Sequence, residues 1–452
     1  MGKKRSKKRE KVLKKDKKSV MIERVFEGVV VLNYNELSRT ALEQEFEAVK
    51  EQYEKLLRLN LKLDMSRGKP GFENVELCEE LSGLVNRETG YKNADGIDCR
   101  NYGGLDGLSE LKQLFGEILG TPAEQVIVGG NSSLNMMFDI IAQGMTHGWG
   151  EEPWSRVEDR KFLCPCPGYD RHFAITEYFG FQLIPIAVDE NGPDMDAVEE
   201  WVKDPAVKGI WCVPKYSNPE GTTYSDEVVR RMAALKPAAK DFRVMWDNAY
   251  VVHDLYDEGD ELLNFYRACE KEGNAEMPFL FTSTSKITFP GAGVAAVAAS
   301  PSNILKLKNR MSFQTIGPDK INHLRHARMF RTVADVKAQM KKYADLLRPK
   351  FERVLKEFDE QLTGIARWTR PKGGYFISLY VPEGCARRVG DLCKNAGMNL
   401  TPAGATYPYG LDPKDENLRI APSFPSVEEI GRAAEVLCVA VRYAALEQLL
   451  AQ

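Results

Sequence analysis

The sequence predicts an α/β protein, with a mainly parallel seven-stranded sheet in a large domain and a smaller α+β domain at the C-terminal end. Three observations carry that prediction. Between Gln125 and Ser300, seven short apolar runs alternate with helical segments, the pattern of a sheet covered on both faces. The 452 residues are 43% apolar, 10% aromatic and 28% charged, enough for one or two large cores; a collagen-like, low-complexity or wholly disordered chain is excluded. The longest apolar runs, Gly291 to Ala299 and Leu437 to Ala445, are too short or too interrupted to span a bilayer.

Residues 1–33 read as a basic, disordered extension. Residues 1–18 hold eleven lysines or arginines against Glu10 and Asp16, a surplus of nine positive charges that leaves the remainder at −12 in a chain of net charge −3. Residues 1–18 have no aromatic residue and no fold, so a solvated tail is favoured over a nucleic-acid ligand. No apolar stretch or small-residue cleavage site follows it, so export is not expected. From Leu37 to Leu63, Leu42, Phe46, Val49, Tyr53 and Leu56 recur at helical spacing, with Ser38 as a start signal and Met65–Gly71 as a breaker-rich end.

The predicted strands are Val126–Gly129, Lys161–Cys166, Gln182–Val188, Gly209–Val213, Arg243–Trp246, Phe279–Thr282 and Val294–Ala298. Leu134–Gln143, Asp170–Phe179, Met195–Val202 and Glu227–Leu235 read as the helices between them, and 303–311 and 319–345 as long helices after them. Lys350–Phe358, Gly374–Tyr380, Arg387–Ala396 and Val427–Leu449 mix helix and strand. The expected division is 34–80 with the small domain, 81–330 as the large domain and 331–452 as the small domain. Nine scattered cysteines, with Cys164 and Cys166 as strand neighbours rather than metal ligands, imply a reducing, cytoplasmic compartment and no metal site.

Open α/β sheets bind ligands at the carboxyl ends of their strands, and four polar clusters stand there. Gly130-Asn131-Ser132-Ser133 opens a helix, suited to an N-cap or a phosphate. Asn218 lies in Ser217-Asn218-Pro219-Glu220-Gly221, a turn sequence whose amide can also reach a bound oxygen. Asp247, in Asp247-Asn248-Ala249-Tyr250, is a helix cap or the counter-charge of a cationic ring nitrogen. Lys286, in Ser283-Thr284-Ser285-Lys286, is a surface lysine or a poorly solvated, nucleophilic amine. Their shared order suits an electron-sink cofactor, which needs a phosphate anchor, a Schiff-base lysine and an acid at a pyridinium nitrogen.

On these residues the chain resembles fold-type I pyridoxal-phosphate enzymes, specifically class I aminotransferases. The segments Leu63–Pro70, Arg100–Gly107 and Pro214–Pro219 are similar to the subgroup Ic aspartate aminotransferases, also called a MocR-like aminotransferase family. The resemblance implies pyridoxal 5′-phosphate as cofactor and ping-pong amino transfer between aspartate and 2-oxoglutarate through an internal aldimine on Lys286, in a cytoplasmic homodimer. It implies that Asp247 pairs with the pyridine nitrogen, Tyr250 and Asn218 bond the phenolic oxygen, and Tyr169 stacks on the ring. Ser132, Ser133 and Ser283 match phosphate contacts, and Tyr102 matches a tyrosine reaching the partner's phosphate.

Arg419, within Asn417–Phe424, matches the arginine that clamps the substrate α-carboxylate, with Asn218 beside it. A planar guanidinium suits that task. Arg67 is the first candidate for a dicarboxylic side chain, with Arg310 and Lys215 as runners-up. One departure is plain: nothing basic lies between Lys286 and Lys306, so the phosphate depends on hydroxyls, helix N–H groups and the partner's Tyr102. Two other readings stand beside this one: an aminotransferase or lyase acting on other amino acids, and a non-enzymatic MocR-like regulator, for which residues 1–33 are too short and uniformly charged to form a helix-turn-helix.

Overall fold

Strands that are apolar on both faces need cover on both sides, and the computed structural model places them inside a three-layer stack. It describes Arg24–Phe26, Val29–Val31 and residues 33–452. The first two segments are strands β1 and β2, an antiparallel pair; the rest of the predicted 1–33 arm, apart from Asn33, lies outside the described residues. Helix α1 (Arg39–Leu57), strand β3 (Leu63–Asp64) and helix α2 (Phe72–Glu76) follow.

The central section runs α3 (Ser109–Leu119), β4 (Val126–Val128), α4 (Ser133–His147), β5 (Lys161–Cys166), α5 (Asp170–Tyr178), β6 (Gln182–Asp189) and β7 (Gly192–Pro193). It continues through α6 (Met195–Trp201), β8 (Val207–Cys212), α7 (Asp226–Ala233), β9 (Arg243–Asp247), α8 (Phe265–Lys271), β10 (Pro278–Ser283), β11 (Ala295–Ala298), α9 (Pro301–Gln314) and α10 (Lys320–Met329). The sheet order is β4-β11-β10-β9-β8-β5-β6-β7. Pairing is parallel from β10 through β6, and β11 runs antiparallel to both its neighbours. The seven predicted strands are present; the eighth, β7, is a two-residue edge strand too short to leave an apolar signature.

Side-chain alternation along β9 shows the two-faced burial. Val244 and Trp246 join one core, where Trp246 stacks on Phe265 at 4.0 Å, while Met245 joins Phe279 and Phe281 on the opposite face. The remaining elements are α11 (Val333–Gln361), β12 (Arg367–Trp368), β13 (Ile377–Tyr380), α12 (Ala386–Asn395), β14 (Met398–Asn399), β15 (Asn417–Ile420) and α13 (Val427–Ala451). They share a third core with α1, whose Ser38 cap accepts from Ala41 N and whose Phe46 meets Tyr443 edge-on at 4.9 Å. Strand β3 pairs with β14, so the segment leading to Arg67 is stitched to this core.

The helices differ from the sequence prediction in three respects. The helix expected over 319–345 is two helices, because Thr332 and Asp335 form a capping box that starts α11 afresh. Helix α11 then runs through Pro349 and absorbs the predicted Lys350–Phe358 segment. Helices α3 and α8 are additional; Leu108, the residue before α3, offers no polar cap. Among the described residues no helix is long and apolar enough to cross a membrane, and all nine cysteines are buried free thiols.

A buried ion pair ties the ends of β8 and β9 to the layer beneath. Asp241 accepts from Lys208 Nζ at 2.9 Å and from Trp154 Nε1 at 2.7 Å. Removing the carboxylate leaves a buried ammonium and a buried indole N–H without partners, at a cost of about 3–5 kcal/mol. Asp241→Ala is therefore expected to lower the melting temperature, read by calorimetry, by at least ~5 °C; an unchanged melting temperature would contradict this.

Candidate active site

The parallel pairing of β9 and β10 creates the site. Phe281 sits opposite Asp247, and Asn248 N donates to Phe281 O at 2.8 Å, so both strands end at one level. Beyond β10 the chain turns over Thr284, whose carbonyl accepts from Ile287 N and Thr288 N. That turn carries Lys286 back over the strand ends. Its Nζ lies 5.0 Å from the centroid of the Tyr250 ring and 5.9 Å from that of Tyr375. Burial among these rings pulls the amine's pKa below the ordinary lysine value, while the charge of Asp247 pulls it back up.

Asp247 is itself buried. One oxygen lies 3.1 Å from His172 Nε2, a ring stacked on Trp211 at 4.4 Å; the other, Oδ1, has no partner. A buried carboxylate oxygen with spare accepting capacity calls for a cationic donor. Tyr250, three residues on, is also buried, and burial raises its phenol pKa well above the ordinary value, so it remains a donor. Tyr169 begins α5 with its ring edge-on to His172 at 4.9 Å, and burial pushes its pKa up to about 12.

The loop before α4 is held open from three sides. Gly129 N donates to Ala295 O and Ala295 N to Gly130 O, His323 Nε2 donates to Gly129 O at 2.7 Å, and Ser285 Oγ donates to Asn131 O at 3.0 Å. Ser132 and Ser133 stand at the N-terminus of α4 with partly exposed side chains, and Ser283 Oγ lies 3.1 Å from Ser285 Oγ. Hydroxyls from two strand ends thus meet at one helix N-terminus, as an anion requires.

The opposite wall comes from the other core. Arg419, on β15 beside Ser378, is mostly buried. Its Nη1 donates to Asn218 Oδ1 at 3.3 Å and to Asp170 at 2.9 Å, and its Nη2 donates to Thr401 Oγ1 at 3.3 Å. Thr401 in turn donates to Ser66 O at 2.7 Å, which brings the loop bearing Arg67 alongside. Gly68 is packed so closely there that a Cβ would lie 2.4 Å from Phe376, the ring beneath the Arg419 guanidinium.

The structure therefore gathers Asp247, Tyr250, Lys286 and Tyr169 at the strand ends, joins Asn218 to Arg419 on the facing wall, and sets Ser132 and Ser133 at the start of α4, next to Asn131, to which Ser283 is linked through Ser285. Arg67 is exposed and forms no ion pair among the described residues. Of the runners-up for the substrate side chain, Lys215 is buried against Asp254 at 2.9 Å and Arg310 faces Asp139 at 3.6 Å, so each is already committed. Tyr102 is 82% exposed, on a loop held by Lys320 Nζ through Gly103 O. Sequence reasoning missed His172, Ser285 and Thr401. His172 was findable, because it lies two residues into the helix that follows Tyr169; Ser285 and Thr401 are ordinary loop hydroxyls that only the fold makes local.

Residues 37–452 match the family described as "Aspartate amino-transferase". An aspartate aminotransferase of Corynebacterium glutamicum is 48% identical over 405 residues, covering 89% of this chain and 94% of that one. The crystal structure of an aspartate transaminase from the same species superposes with a TM-score of 0.90 at 46% identity, covering 92% of this chain and 99% of that one. An α-aminoadipate aminotransferase of Thermus thermophilus, solved with N-(5′-phosphopyridoxyl)-L-leucine, shares the fold at a TM-score of 0.70 and 20% identity, over 86% of this chain and 93% of that one.

The opposed influences on Lys286 give a signed prediction. Acetylation needs the neutral amine, so its rate against pH reports the pKa. On protein freed of any bound carbonyl compound, Lys286 should react with a midpoint below the ordinary lysine value, read peptide by peptide by mass spectrometry. Asp247→Asn removes the charge that favours the ammonium and should move the Lys286 midpoint lower still; an upward movement would contradict the geometry.

Proposed function

This chain belongs to the aspartate amino-transferase family, and from that premise we propose that it exchanges amino groups between aspartate and 2-oxoglutarate with pyridoxal 5′-phosphate bound at Lys286. The observation that carries the reading is a desolvated amine and a desolvated carboxylate sharing one pocket, with a buried guanidinium on the facing wall. The residues fit the cofactor. The unpartnered Asp247 Oδ1 suits a protonated ring nitrogen, the hydroxyls at the start of α4 suit a phosphate, and Tyr169 offers a ring face. When bound, the cofactor supplies an electron sink that acidifies the substrate Cα–H.

Each side chain then has a defined task. Lys286 Nζ, its pKa lowered by burial, accepts the proton from the substrate α-carbon and delivers it one step later. Asp247, fixed by His172 and the Trp211 stack, holds a positive charge opposite its free oxygen. Tyr250 and Asn218 donate toward an oxygen between them. Arg419 grips the α-carboxylate and so aims the Cα–H bond at Lys286. Ser132, Ser133 and Ser283, joined by Ser285, bind the phosphate without a basic residue.

Arg67 is the proposed cation for the substrate's second carboxylate, supported by the Arg419–Thr401–Ser66 relay that sets its loop beside the clamp. A homodimer is supported by the surface around Tyr102: its loop abuts Gly317, and nearby Phe313 and Ile316 are 94% and 65% exposed. Tyr102 would then serve the partner's phosphate. The core shared by α1 and residues 347–446 supports counting the N-terminal helix with the C-terminal residues as one small domain, while Cys78 and Val336, Met340 and Tyr343 of α11 pack with the core of 81–330. Nine buried free thiols support action in the reducing cytoplasm.

With holoenzyme, aspartate and no 2-oxo acid, one oxaloacetate per subunit should form without ammonia. Release of pyruvate or ammonia on continued turnover would establish a lyase instead. Arg67→Ala should lower kcat/KM for aspartate by about a hundredfold while leaving that for alanine within about threefold. Equal losses for both would remove Arg67 from side-chain recognition.

A further inference from the structure

Arg419 meets a carboxylate before any substrate arrives. Asp170 Oδ1 lies 2.9 Å from Arg419 Nη1, closer than the Asn218 or Thr401 contacts to the same guanidinium. The two residues are 249 positions apart, one on the first turn of α5 and the other on β15, so the pair joins the cofactor-facing wall to the substrate-facing wall. The Arg419 side chain is nearly inaccessible while that of Asp170 remains about one-third exposed. Asp170 therefore meets solvent on one side and the buried guanidinium on the other.

Guanidinium donors can be counted. Of the five N–H groups, two on Nη1 serve Asp170 and Asn218, and one on Nη2 serves Thr401. The Nε–H is enclosed, with no partner and no exposed surface. A carboxylate arriving from the pocket consequently reaches the guanidinium across its Nη1 and Nη2 end, where Asp170 already holds one donor. Among the described residues the second Nη2 hydrogen is free, so a two-pronged grip must also take or share a donor now held by Asp170, Asn218 or Thr401, and sharing with Asp170 brings two like charges together on one cation.

We propose that Asp170 is a built-in counter-ion of the carboxylate clamp, a positioning and specificity residue that weakens carboxylate binding and sets the KM for the amino donor. The inference rests on the proposed transaminase reading, which makes Arg419 the substrate clamp. In the absence of substrate, Asp170 neutralises a buried guanidinium and holds its plane. With substrate present it competes, so carboxylates lacking a second point of attachment are held loosely. A residue that served only the start of α5 would affect helix stability and leave affinity alone.

Asp170→Asn and Asp170→Ser both keep a good helix-starting side chain and remove the charge; Asp170→Glu keeps it. Succinate binding to each pyridoxal-phosphate-loaded protein is measured by titration calorimetry, together with kcat and KM for aspartate. The two neutral variants should bind succinate about tenfold more tightly, with KM for aspartate falling in step and kcat changing by less than about threefold. Asp170→Glu should stay near wild type. Unchanged or weaker succinate binding in both neutral variants overturns the inference. Failure of the transaminase reading is distinct, because it appears in the wild-type protein as no oxaloacetate formation, whatever the variants do to succinate.

Discussion

A single arrangement governs the rest: one amine and one carboxylate delivered to the same edge of a parallel sheet and deprived of solvent. Asp247 ends β9 and Lys286 follows β10, and the register pairing Phe281 with Asp247 makes the two ends level. Burial works against both charges, and each partly offsets the cost of the other. The surrounding aromatic rings, Tyr250, Tyr375 and the His172–Trp211 stack, maintain that shielding. A slip of one residue between β9 and β10 would turn one of the two groups into the opposite layer.

The second half of the site belongs to another core. Arg419 reaches the pocket from a three-stranded antiparallel sheet whose apolar side packs with α1, α11 and α13. Apolar packing joins the halves, with Val213, Tyr216, Tyr250 and Leu255 lying in the Arg419-bearing core, and polar contacts add to it: Arg419 to Asn218 and Asp170, and Tyr380 OH to Glu220 Oε1 at 2.6 Å. The glycines at 373 and 374 permit the close approach. A Cβ on Gly373 would lie 2.1 Å from the Tyr216 ring, and Gly374 has a φ of +79°. That contact seats Tyr375 beside Lys286, so packing in one core shapes the solvation of an amine carried by the other.

Much of this was legible in the sequence because each signal was local. Apolar runs bounded by turn residues marked all seven principal strands, and polar clusters at their carboxyl ends marked Asn218, Asp247 and Lys286. What escaped depended on tertiary context. Pro349 sits inside α11, where a 29-residue helix outweighs one lost backbone bond. Helix α3 begins without a polar cap, so no start signal announced it. Asp170 looked like any acid in a first helical turn; only the return of β15 sets Arg419 against it.

One covalent attachment decides the chemistry, and it can be read directly. Protein loaded with pyridoxal 5′-phosphate is reduced with borohydride, digested, and its modified peptide sequenced by mass spectrometry. The cofactor mass should appear on Lys286 at close to one per chain and be absent from Lys215, Lys308 and Lys320. A modification spread over surface lysines, or none at Lys286, would contradict the account.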